Sequence, residues 1–132
     1  MRGDEAMYVG GTIAAVPEKT EGKLDLSSEN EATFTSKKGT FAFAYSRISS
    51  LEYGQKAGRR IGAAVVVSPL FLFSKKRKHF LTVGFSDDAG KQQGAVLEIG
   101  KNQVRSVLNR LESRSGKQVE YESAEAKKHV GN

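Results

Sequence analysis

The chain of 132 residues has no cysteine, no tryptophan, only two prolines and only two histidines. Without a thiol it can build no disulfide framework, no cysteine-ligated zinc or iron–sulfur centre and no thiol nucleophile. The same absence leaves the redox compartment open. His79 and His129 lie fifty positions apart and form no His-Glu-x-x-His arrangement, so no metal ligand is expected of either. Asp87-Asp88-Ala89-Gly90 lacks the alternating ligands and closing glutamate of a calcium loop and reads as a hairpin turn. There is no Gly-x-Ser-x-Gly elbow and no Walker loop. Glu98, Glu112, Glu120 and Glu122 would form carboxylate pairs only if the fold happened to bring them together, so the expectation is a non-enzyme without a cofactor.

Long apolar runs are missing too. The longest, Ile61 to Phe73, is 13 residues interrupted by Gly62, Ser68 and Pro69. A spanning helix needs about 20. No apolar stretch of a signal peptide follows the polar start Met1 to Met7, and the second methionine suggests that residues 1–7 are a disordered, cloning-derived segment. A native leader removed upstream would remain invisible, so cytoplasm, membrane periphery and export all stay open. The expected layout is one domain over residues 8–122 and a flexible tail over 123–132.

One charge sign is absent from the middle. Between Tyr53 and Ser86 there is no aspartate or glutamate, whereas Lys56, Arg59, Arg60, Lys75, Lys76, Arg77 and Lys78 supply seven positive charges. The whole chain is +6, so the remainder carries −1. The positive excess is local.

What is present is mostly strand pattern. Phe41, Phe43 and Tyr45 alternate with Ala42 and Ala44, the period of two that marks a half-buried strand. Strands are predicted at Tyr8–Val16, Lys23–Leu26, Ala32–Ser36, Thr40–Tyr45 and Ile48–Tyr53. Phe80–Phe85 and Ala95–Ile99 read as a hairpin across the polar stretch Asp87–Gly94. From Lys101 to Arg114 the period changes. Val104, Val107, Leu108 and Leu111 fall at helical spacing, with Asn102 as a starting cap and Gly116 as a stop. Arg110 and Arg114 suit the negative end of the helix dipole. Gln118–Glu122 is a last short strand. Such a stripe needs an apolar surface, which the mouth of a curled antiparallel sheet offers. Gly54, Gly58 and Gly62 recur at every fourth position, but Lys56, Arg59 and Arg60 interrupt them, so they read as turns. Lys38 to Tyr45 approaches an RNA-binding signature, yet Thr40 is an extra residue and no helix precedes it. Its aromatics therefore read as core, and nucleic acid is not favoured as a partner.

Gly11-Thr12-Ile13, Gly22-Lys23-Leu24-Asp25-Leu26, Phe43-Ala44-Tyr45-Ser46-Arg47-Ile48, Leu51-Glu52-Tyr53, Phe80-Leu81-Thr82-Val83 and Leu108-Asn109-Arg110-Leu111-Glu112 together resemble the pleckstrin-homology-like superfold. Small bacterial domains of the GRAM type are the nearest in pattern. The resemblance spans about Tyr8 to Gly116. It implies a mainly β (α+β) fold, a curled antiparallel barrel of six to seven strands capped by one C-terminal amphipathic helix. In phosphoinositide-binding members the basic residues sit in the first strand–loop–strand. Here Val16 to Lys23 is mixed in charge and Asp25 follows, which does not match that pattern.

The functional expectation is an interaction domain. Lys56, Arg59, Arg60, Lys75, Lys76, Arg77 and Lys78 would contact an anionic membrane surface, with Leu70, Phe71 and Phe73 as apolar contacts. The alternative is a protein-binding or self-associating module that uses the 61–73 segment or an open sheet edge. Solvated ends of a long connection, around two buried barrel strands or a short helix that covers the barrel, are the plain structural reading of the same charges.

Overall fold

A computed structural model describes residues 5–54 and 79–121 in full, and 60–61 and 65–66 as backbone. The elements are β1 (Glu5–Gly11), β2 (Thr20–Asp25), β3 (Glu31–Ser36), β4 (Gly39–Ala44), β5 (Ile48–Gly54), β6 (Arg60–Ile61), β7 (Val65–Val66), β8 (His79–Ser86), β9 (Gln92–Ile99), α1 (Val104–Ser115) and β10 (Val119–Tyr121). Eight strands form one curled sheet in the order β10-β5-β8-β9-β1-β2-β3-β4, and β6 pairs only with β7. The result is a mainly β half-barrel with one C-terminal helix, an arrangement compatible with a pleckstrin-homology-like fold.

The expected six to seven antiparallel strands are corrected to eight in a mixed sheet. The eighth is the short last strand expected at Gln118–Glu122, here β10, and it lies parallel to β5, with Val119 opposite Leu51 and Tyr121 opposite Tyr53. Parallel neighbours need a long crossover. Everything from β6 to α1 lies within that crossover.

Period two places the core. Leu81, Val83 and Phe85 of β8, Ala95, Leu97 and Ile99 of β9, Ala6 and Tyr8 of β1, and Phe41 and Phe43 of β4 point to one side. Their rings interlock: Phe34–Phe41 centroids are 5.4 Å apart, Phe43–Phe85 5.2 Å, and Tyr8 meets Phe41 edge-on at 5.6 Å. The RNA-binding-like aromatics are thus core residues, as their alternation implied. β1 starts three residues before the predicted Tyr8 and ends at Gly11 rather than Val16. It is paired on both sides, to β2 and β9, and those ladders set its limits.

The helix buries Val104, Val107, Leu108 and Leu111, the predicted stripe. Each side chain contributes about 2 kcal/mol of apolar burial. Gly116 stops the helix at φ 74°, and its N–H donates to the Glu112 carbonyl at 3.0 Å. That left-handed conformation is why glycine stands there. The expected Asn102 cap is corrected. Gln103 occupies the N-cap position without a side-chain bond, because residues 101–103 already form a 3-10 turn leading in. The Glu112 carboxylate accepts the Val119 N–H at 2.8 Å and so fixes the entry to β10.

Candidate functional site

Most of the predicted contact residues lie outside the described residues: Lys56, Arg59, Lys75, Lys76, Arg77 and Lys78, and the apolar Leu70, Phe71 and Phe73. Arg60 is placed by its backbone, at the start of β6. What the structure does fix is the root of this segment. The chain leaves the sheet at Gly54 and returns at His79, and Gly54 stands opposite Phe80 in the β5–β8 ladder. Seven cations are therefore carried by one excursion whose two ends meet at one end of a rigid sheet.

That junction is sealed by His79, which follows the basic run in sequence but is buried, with 8% exposure. The Tyr53 hydroxyl and His79 Nδ1 share a hydrogen bond of 2.7 Å, and the two rings lie 6.2 Å apart and nearly parallel, at 13°. Tyr121 of β10 packs edge-on against Tyr53 at 6.1 Å. The signal was present in the sequence. His79 continues the inward set Leu81, Val83, Phe85 at a spacing of two, which outranks its charged neighbours.

A second feature was not visible in the sequence. A cleft of about 920 Å³ opens over β1, β2 and β3. Lys19, Lys23, Lys37 and Lys38 border it, with Glu5 and Glu21 as the opposing charges. Two turns supply Lys19, Lys37 and Lys38, and Lys23 stands on β2. The Ser36 hydroxyl donates to the Gly39 carbonyl at 2.6 Å and accepts the N–H groups of Lys38 and Gly39, which fixes the β3–β4 turn. Gly39 lets the β1–β2 loop approach, since a Cβ there would stand 2.0 Å from the Ala15 carbonyl oxygen. On the other side, the Thr20 hydroxyl donates to the Pro17 carbonyl at 2.7 Å. Within that turn Lys19 adopts φ 61°, a conformation that costs a non-glycine residue roughly 1–2 kcal/mol.

One row across the sheet links the border of the cleft to the root of the cationic segment. Glu21 of β2 stands opposite Met7 of β1, Met7 opposite Glu98 of β9, and Glu98 opposite Phe80 of β8. All four alternate with core residues, so this row lies on the outer side of the sheet. Three strand spacings separate its ends, about 14 Å. Cations at two sites on one face, at that distance, can engage several phosphates or carboxylates together. Lysine suits this as a compact point charge.

No protein-family model matches this sequence, and no curated protein matches it.

Proposed function

We propose that the chain is a non-enzymatic interaction domain that docks on an anionic membrane surface through one cationic face. Lys56, Arg59, Arg60, Lys75, Lys76, Arg77 and Lys78 supply most of the charge, and Lys19, Lys23, Lys37 and Lys38 extend it across the sheet. We read the fold more finely as a pleckstrin-homology-like domain of the GRAM type. The support is a meander of strands, β1 to β4, then β5, β8 and β9, before a helix that covers the open side.

One observation carries the functional reading. The segment that holds seven cations and no acid is rooted at Gly54 and Phe80, in the same outer row that ends in the lysine-bordered cleft. A basic residue close to an anionic leaflet contributes on the order of 1 kcal/mol, so the seven set a ceiling of roughly 7 kcal/mol. Leu70, Phe71 and Phe73 would add apolar contact at the interface.

Co-sedimentation with vesicles tests this. The protein should pellet with phosphatidylcholine vesicles that contain phosphatidylserine and stay in solution with phosphatidylcholine alone. Raising salt beyond the screening range should release it. No pelleting on anionic vesicles at low salt ends the proposal. Mass measured by light scattering over a range of concentrations separates it from the self-associating alternative.

A further inference from the structure

The half-barrel core accounts for one side of the sheet only. On the other side, Val9, Phe80, Thr82 and Val96 are also buried, at 3%, 4%, 5% and 0% exposure. Val9, Phe80 and Val96 are not part of the main core cluster. The register explains why. Phe80 and Thr82 alternate with the core residues Leu81 and Val83, and Val96 alternates with Ala95 and Leu97. Thr82 and Val96 stand directly opposite each other, and Val9 is the extra residue of the β1 bulge beside them. β8 is consequently buried on both faces from His79 to Phe85. A strand in a sheet with one wet face does not show this pattern.

Something covers that face, and one described element is at hand. β6 lies against both β8 and β9 but joins neither ladder, its sole strand partner among the described residues being β7. A free two-stranded ribbon is at best marginally stable in water. A ribbon of two residues per strand therefore owes its place to packing. The outer face also carries acids, Glu52 opposite Thr82 and Glu98 opposite Phe80. The segment that contains β6 carries cations and no acid.

We infer that the outer face of β8, β9 and the β1 bulge is a second packing surface, and that its occupant is this chain's own β6–β7 hairpin, residues 60–66. Val9, Phe80, Thr82 and Val96 form its floor, and Glu52 and Glu98 its acidic rim. The domain then has three layers: helix, sheet and hairpin.

The test uses the alternation of a strand. Successive residues of β7 face opposite ways, so only one of Val65 and Val66 can meet the sheet. Val65→Asp and Val66→Asp are made singly in the full chain. One should lower the melting temperature by several degrees and speed amide exchange over 60–66 at least tenfold, while the other should do neither. Val96→Ala should also speed exchange over 60–66 and leave β3 and β4 unchanged. If both aspartate variants behave like the parent protein and 60–66 exchanges at the rate of an open chain, the inference is wrong. If the effective variant instead dissociates a dimer seen by light scattering, the occupant is a second copy, and the inference is again wrong. None of these readouts involves a vesicle, so they are independent of the membrane proposal.

Discussion

Arg114, in the last turn of α1, holds Tyr45 in two ways. Its Nη1 donates to the tyrosine hydroxyl at 3.0 Å, and its guanidinium carbon lies 5.2 Å from the centre of the same ring. The same Nη1 donates to the carbonyls of Leu26 and Ser28. One side chain thus ties the end of the helix to the β2–β3 loop and to the turn before β5. Arg114→Ala should lower unfolding stability by about 2 kcal/mol, since it leaves partly buried carbonyls without a charged donor. Arg114→Lys should restore less than half, because an ammonium cannot stack on the ring as the planar guanidinium does. Urea unfolding of the two variants checks both statements.

The buried pair Tyr53 and His79 gives the second prediction. Tyr53→Phe keeps the ring stack and removes only the hydroxyl that meets His79 Nδ1. The expected cost is about 1–2 kcal/mol, read by urea unfolding. Since the pair closes the root of the mid-chain segment, amide exchange at His79 and Phe80 should rise more than exchange in β3 and β4.

Asp87 governs an acid limb. Hydrogen bonds from the Gln93 side chain first, and from the Lys91 and Ala89 N–H groups, hold its carboxyl below the usual carboxylate value. A carboxyl whose folded pKa is depressed stabilises the fold above its unfolded value, near 3.9, and loses that contribution as pH falls through the folded value. The stability difference between the parent protein and Asp87→Ala should therefore be largest near neutral pH and shrink steadily below about pH 4. Urea midpoints taken across that range decide it. A difference that stays constant with pH would show that the carboxylate charge plays no part.

Lys19 separates folding from binding. Lys19→Gly should raise stability by about 0.5 kcal/mol, because glycine accepts the positive φ and gives back part of that gain as chain entropy. The same change should weaken binding to anionic vesicles roughly fivefold, the effect of one lost charge. Lys37→Glu with Lys38→Glu should weaken it much further at unchanged melting temperature. Retained affinity in both variants would leave the cleft without a role in docking.

Much of the fold was legible because its signals are local. The alternation over Phe41 to Tyr45, the helical stripe Val104 to Leu111 and the glycine stop at 116 each need only neighbours in sequence, and each is found in place. The misses have a common cause. His79 directly follows a run of charges in sequence, yet the face it occupies is set by the pairing of β8 with β5 and β9. Asn102 looked like a cap because the reading did not foresee a 3-10 turn. The cleft was invisible because its lysines come from two turns and from β2, which meet only when β2 and β3 pair.

By itself the sequence determined the element types, the inward residues of most strands and the concentration of positive charge between Tyr53 and Ser86, since these depend on period and composition along the chain. Only the tertiary structure decided that a last strand joins β5 in parallel, that His79 is buried against Tyr53, and that β8 is buried on both of its faces. The physical reason is that strand pairing is non-local: which edge a strand joins, and whether its outer face meets water or protein, depends on residues far away in the chain.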